Sequence, residues 1–130
     1  MKFILALCLL FFSAKANCQI TRATLDLLTN TMQLFVKAEY EKVIPLQEKA
    51  MIAVKKEVGE NDPLHIGQLF LIGYCHYMLY QYEQAEKYYL QQKELLAKTT
   101  GTNDVNYSAC LARLGVLYRD MGKYQQSIDL

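Results

Sequence analysis

The sequence predicts an all-α fold, a stack of antiparallel helix pairs, and three observations carry that expectation. Tyr40, Tyr82 and Tyr124 recur at a step of 42 residues, and the same step carries Gly59 onto Gly101, Asn61-Asp62 onto Asn103-Asp104, Leu69 onto Leu111 and Gly73 onto Gly115. So many coincidences at one offset indicate duplication of a structural unit. Between the recurring positions, core-type residues return at helical rather than alternating spacing, as in Leu69, Ile72, Gly73 and His76 and again in Ala85, Tyr89, Leu95 and Leu96. Stop and start signals then separate the periodic stretches at corresponding places in each unit.

The first helix is predicted over 20–37 and the second over 40–58. Glu57-Val58-Gly59-Glu60-Asn61-Asp62-Pro63 reads as a stop followed by a start. Glycine accepts the left-handed conformation that ends a helix, Asp or Asn caps the next one, and proline suits its first turn. A third helix is predicted over 63–79 and a fourth over 83–99, with a reversal in Tyr80-Gln81-Tyr82. Thr100-Gly101-Thr102-Asn103-Asp104 repeats the stop and start and opens a fifth helix over 104–121. Met121-Gly122-Lys123-Tyr124 is the next tight reversal, with a sixth helix from 124 onward. The units span 20–61, 62–103 and 104–130. The last stops far short of the helix at 83–99, so the chain is expected to be the front part of something longer, with an open edge around Ile128 and Leu130 through which it could self-associate.

Residues 1–18 read as a secretory signal peptide, with Lys2 as its positive start, an unbroken apolar run from Phe3 to Phe12, and Ala14-Lys15-Ala16 as a small-x-small cleavage pattern. Ala16-Asn17-Cys18 offers a second cut, before Gln19. The run is too short for the roughly 20 residues of a membrane-spanning helix, so a secreted or periplasmic location is expected and membrane attachment only through an uncleaved leader. Asn17 before Cys18 argues against a lipoprotein anchor, which takes a small residue there. With Lys2 and Lys15 set aside, 12 basic residues face 13 acidic ones, and no basic stripe suits a nucleic acid. Cys75 and Cys110 fall inside helices at no metal-binding spacing and read as small core residues.

Leu114-Gly115-x-x-Tyr118-x-x-x-Gly122-x-Tyr124, followed by Ser127, resembles the tetratricopeptide repeat signature, and Ile72-Gly73-x-x-His76 with Tyr82, Ala85 and Tyr89 matches it one unit earlier. The resemblance implies a right-handed superhelical solenoid of about two and a half repeats, with Gly73, Ala85, Gly115, Tyr82, Tyr118 and Tyr124 as packing residues. The 42-residue step is similar to the long variant of kinesin light chains and of exported bacterial proteins, some of which carry a caspase-like CHAT protease domain. The first unit departs from the pattern: Thr31 stands at the place of the close-packing glycine, Val43 replaces the small residue, and Pro45 falls within the second helix. It reads as a divergent terminal cap, bent near Pro45.

In that family the first helices of successive units line a concave groove. Carried over by position, the contact places are Leu28, Met32 and Phe35, then Phe70, Tyr74 and Tyr77, then Ala112, Val116, Arg119 and Asp120. A protein or peptide partner is expected there, anchored by aromatic side chains. The competing reading is that Phe70, Tyr74 and Tyr77 only pack against neighbouring helices. No catalytic constellation, phosphate loop or cofactor motif can be assembled, and Cys75 and His76 point to different sides of a helix. Asn61-Asp62 and Asn103-Asp104 lack the further oxygen donors of a calcium loop and read as caps. Asn106-Tyr107-Ser108 fits the glycosylation acceptor pattern.

Overall fold

The computed structural model describes residues 20–130; the leader with its cleavage sites and Cys18 lies outside the described residues. Six helices follow one another: α1 (Arg22–Val36), α2 (Tyr40–Val58), α3 (Pro63–Met78), α4 (Tyr82–Thr99), α5 (Val105–Asp120) and α6 (Tyr124–Ile128). There is no strand among the described residues, and each helix packs on its chain neighbours from α1 to α6. The expected all-α array of helix pairs is therefore the fold.

The helix starts follow from side-chain chemistry. Asp62 Oδ1 accepts the Leu64 amide at 2.8 Å, and Asp104 Oδ1 accepts those of Asn106 at 2.8 Å and Tyr107 at 3.3 Å. Each aspartate thereby satisfies amides that a helix start leaves without partners. Gly59 and Gly101 follow the preceding helices with φ of 93° and 88°.

The reversals inside the units share one geometry. Ala38, Tyr80 and Gly122 stand 42 residues apart and adopt φ of 57°, 58° and 72°. The next amide in each case reaches back over a full turn, Glu39 to Leu34 O, Gln81 to His76 O and Lys123 to Tyr118 O. This is the Schellman closure of a helix, which favours glycine at the left-handed position. Only the third unit uses it. Ala38→Gly is accordingly expected to raise stability by about 0.5–1 kcal/mol, the left-handed strain of an L-residue less the extra chain entropy of glycine. A higher thermal midpoint checks this, with Gly122→Ala moving it the other way.

Leu69, Ile72 and Tyr88 form one core cluster, against which Met51 and Leu95 pack. Ile66, Ala85, Tyr89, Leu96, Cys110, Leu114, Leu117 and Tyr118 form another, which ties α3 and α4 to α5. Cys75 and Cys110 are fully buried free thiols, and Cys110 Sγ donates to Tyr89 O at 3.3 Å.

The first unit solves the packing differently from the second. Thr31 takes the place that Gly73 holds one unit later, and Gln47 that of Tyr89; both are buried, at 1% and 0% exposure. A larger residue on α1 is thus matched by a slimmer one on α2. Gln47 Nε2 donates to Gln68 Oε1 on α3. Pro45 lies inside α2, which runs unbroken from Tyr40 to Val58. Proline removes the donor for the Glu41 carbonyl, yet both residues are exposed and water can serve that oxygen.

Glu57 clasps the start of α1. Its carboxylate accepts from the Thr21 amide at 3.0 Å and from the hydroxyls of Thr21 and Thr24 at 2.7 Å each. The Thr21 backbone bond, then the Thr24 and Thr21 hydroxyls, hold its pKa below the ordinary 4.5. A carboxylate depressed in the folded state stabilises fully above its unfolded pKa, and that stability is lost as pH falls through the folded one. Thermal melts from neutral to acid pH should therefore show a loss of stability below about pH 4.5 that Glu57→Gln removes in part.

Candidate functional site

The face shared by α3 and α5, the first helices of consecutive units, is held by two contacts. At one end Tyr77 Oη donates to Asp120 Oδ2 at 2.6 Å. That bond is the main reason the Asp120 carboxyl titrates low, and it pushes Tyr77 up to about 12. Nearer the middle, the Arg113 guanidinium lies 4.2 Å from the centre of the Phe70 ring, and its Nη1 donates to Gln92 Oε1 at 3.4 Å. Gln92 is itself buried, with Nε2 donating to Ile66 O at 3.3 Å.

Two cavities meet at Arg113. One, of about 280 Å³, is lined by Tyr74, Tyr77, Tyr89, Ala112, Arg113 and Val116. The other, of about 500 Å³, runs between Pro63, Ile66, Gly67 and Phe70 of α3, Gln92 and Leu96 of α4, and Asn106 and Arg113 of α5. The aromatic row of α3 continues towards the first unit. Phe70 and Tyr74 are 6.0 Å apart, Tyr74 lies 5.6 Å from Phe35 and 6.1 Å from Tyr40, and Phe35 and Tyr40 are 5.8 Å apart. Phe35, Phe70, Tyr74 and Tyr77 are all half-buried. Each therefore packs against protein and also keeps surface for a ligand, so the two readings of these rings are not exclusive.

The remaining positions divide. Tyr74, Tyr77, Ala112 and Val116 line one cavity and Phe70 the other. Leu28 and Met32 do not join them; they line a separate hollow of about 560 Å³ on α1 with Thr29, Gln33, Val36 and Lys37. Arg119 and Asp120 line neither cavity: Arg119 Nε donates to Asp120 Oδ1 at 3.3 Å, and the shared face is closed at that end.

Among the packing residues, Ala85 and Tyr118 are buried, Tyr82 is half-buried, and Gly73 lies against Tyr88 and Tyr89 of α4. Gly115 is looser, its nearest neighbours being Ser127 and Leu130. Tyr124 is not a packing residue here and stands 66% exposed. In the two earlier units the equivalent tyrosine meets a ring at the end of the preceding helix, Tyr40 on Phe35 and Tyr82 on Tyr77 at 5.9 Å. The third unit has Arg119 at that place, so Tyr124 has no ring to lie on.

Arg113 and Gln92 escaped the positional reading. A signal for both exists in the repeat itself. One step of 42 earlier, Arg113 corresponds to Leu71 and Gln92 to Ala50, both buried. Polar residues at core places of a duplicated unit point to a local task.

Cys75 and His76 are built as core. Burial pushes the Cys75 thiol up to about 11, which leaves it protonated and a poor nucleophile at neutral pH. His76 Nδ1 lies 2.6 Å from Gln81 Oε1, and its ring stacks on Tyr88 at 5.5 Å. No set of His, Cys, Asp and Glu among the described residues gathers as metal ligands.

Helix pairs at a constant step, closed by the same turn and sharing a lined face between their first helices, define a helical repeat protein. The family model of the tetratricopeptide repeat matches residues 66–130, and the chain belongs to that family. No curated protein sequence matches it closely enough to be called a relative.

Proposed function

We propose that the chain is a binding scaffold that holds a segment of another polypeptide on the face between α3 and α5. The observation that carries this reading is the pair of cavities meeting at Arg113, one beside the half-buried ring of Phe70 and the other walled by Tyr74 and Tyr77, half-buried rings with polar tips. Rings of this kind anchor partners because they bury much area while losing little conformational freedom. Repeats of this family generally mediate interactions between proteins, which agrees with it.

Panning a displayed library of random peptides on the folded chain tests the proposal. Ala112 is exposed at the rim of the smaller cavity, so Ala112→Arg fills that cavity without touching the core. Enriched peptides are expected to lose at least about tenfold in affinity to this variant, with the thermal midpoint unchanged. Peptides that bind both forms equally place the binding face elsewhere.

The leader pattern of residues 1–18 supports a secreted or periplasmic location, and N-terminal sequencing of the exported chain, beginning at Asn17 or Gln19, tests it. The 42-residue step, kept by the turns at Ala38, Tyr80 and Gly122, supports membership of the long, kinesin-light-chain-like variant. It also favours a second reading, in which these repeats are the recognition arm of a larger exported CHAT-type protease. A coding sequence that supplies a His and a Cys in an α/β segment beyond Leu130 establishes that reading; an immediate stop removes it.

A further inference from the structure

Asn106-Tyr107-Ser108 is the one Asn-x-Ser/Thr triplet of the sequence, and the place that α5 gives it is open to solvent. Asn106 is the second residue of α5, exposed, with its backbone amide donating to Asp104 Oδ1 at 2.8 Å. Its side-chain amide makes no hydrogen bond with the described residues. Ser108 is exposed too, its hydroxyl donating to Asp104 O at 3.2 Å, while Tyr107 between them packs onto the core that joins α3 and α4 to α5. The repeat does not call for this triplet. The places of Asn106 and Ser108 hold Leu64 and the buried Ile66 one unit earlier, and Arg22 and Thr24 in the first unit.

An asparagine with a hydroxyl residue two places on, and no proline between, is what an oligosaccharyltransferase requires of its acceptor. Asp104, two places before Asn106, also supplies the acidic residue that bacterial forms of that enzyme favour. The helical conformation of the triplet does not bar transfer, because a chain entering the secretory route meets the transferase before α5 has formed. After folding, the modified side chain must lie in solvent, and Thr102, Asn103 and Val105 beside it are all exposed.

We propose that Asn106 is an N-glycosylation site, modified from a polyprenyl-pyrophosphate-linked oligosaccharide as the chain is exported. The inference rests on the secretory reading of residues 1–18. Asn106 Nδ2 attacks C1 of the first sugar. A nitrogen–carbon bond forms, the bond from C1 to the pyrophosphate oxygen breaks with its electron pair leaving on the pyrophosphate, and one amide proton passes to a base of the transferase. Asn106 also lines the larger cavity, together with Pro63 and Gly67 of α3. A glycan there crowds the mouth of that cavity and leaves the smaller one, between Tyr74, Tyr77 and Val116, open to a partner. It also shields Val105, which stands 75% exposed next to it.

Translation of the full chain in the presence of rough microsomes provides the test. The chain that becomes protected from added protease is expected to migrate as one larger species. Peptide-N-glycosidase should return it to the lower mass and leave an aspartate in place of Asn106, read by mass spectrometry. Asn106→Gln and Ser108→Ala should each abolish the shift, and Ser108→Thr should keep it. All three changes fall at exposed positions, and protease protection reports import whether or not a variant folds.

A protected chain that stays unshifted, both with its own serine and as Ser108→Thr, overturns the site and leaves the leader standing. A shift that survives Asn106→Gln puts the glycan elsewhere and overturns it as well. A chain that remains open to protease removes the secretory reading, and the inference with it.

Discussion

Gly73→Thr is expected to destabilise the protein by about 1–3 kcal/mol, the usual range for overpacking a filled interior. A Cβ at Gly73 would stand 2.7 Å from Tyr89 Cε1 and 2.8 Å from Cδ1. Tyr89 is 2% exposed, and its ring would have to shift towards the smaller cavity that it lines to make room. The first unit shows the compensation, since it carries Thr31 and Gln47 at these two places. Gly73→Thr combined with Tyr89→Gln should therefore cost less than the sum of the two changes, with a coupling of about 1 kcal/mol. Urea unfolding of the four forms measures it, and additivity within about 0.3–0.5 kcal/mol would show that ring and glycine are not matched. Gly115 is the control. A Cβ there meets nothing closer than Ser127 Oγ at 3.7 Å, so Gly115→Ala should be neutral or stabilise by up to about 1 kcal/mol through helix propensity.

Leu114→Ala should lower stability by about 2–5 kcal/mol, the loss typical of a large aliphatic side chain truncated in a closed core. Leu114 is 0% exposed in the cluster that joins α3 and α4 to α5. Its neighbour on α5, Val116, is 38% exposed and lines the smaller cavity, so Val116→Ala should stay within about 0.5 kcal/mol. Two residues apart on one helix, the first holds the solenoid together and the second is available to a partner. A similar midpoint shift for both, measured by urea unfolding, would mean that the face is core rather than groove.

The α3 members of the face were legible in the sequence through the family resemblance, whose contact places the repeat lets one carry over residue by residue. Phe70, Tyr74 and Tyr77 fall where first helices meet across units, and the structure puts them there. Leu28 and Met32 occupy the same places on α1 yet line a hollow of their own. Position within a unit says which side of a helix a residue is on. It does not say whether the neighbouring helix stands close enough to close a cavity over it. Arg113 and Gln92 show the converse. Each sits at a place that is buried in the preceding unit, and only the approach of α5 to Phe70 turns the pair into the charged point of the face.

The sequence by itself determined the helices, their ends and their repetition, because these are local matters. Spacing sets the buried side of each helix, Asp62 and Asp104 can cap from within their own turn, and a 42-residue step is visible without coordinates. Even so, the left-handed turns at Ala38 and Tyr80 were concealed, since neither residue advertises the conformation that Gly122 does. What the tertiary structure decided is how equivalent places differ. Gly73 is pressed against a ring while Gly115 is not, and Tyr82 meets the ring of Tyr77 while Tyr124 stands exposed. The reason is common to both. A repeat prescribes backbone positions, whereas fit depends on the volume and polarity of side chains brought from another helix, and that meeting exists only in the folded chain.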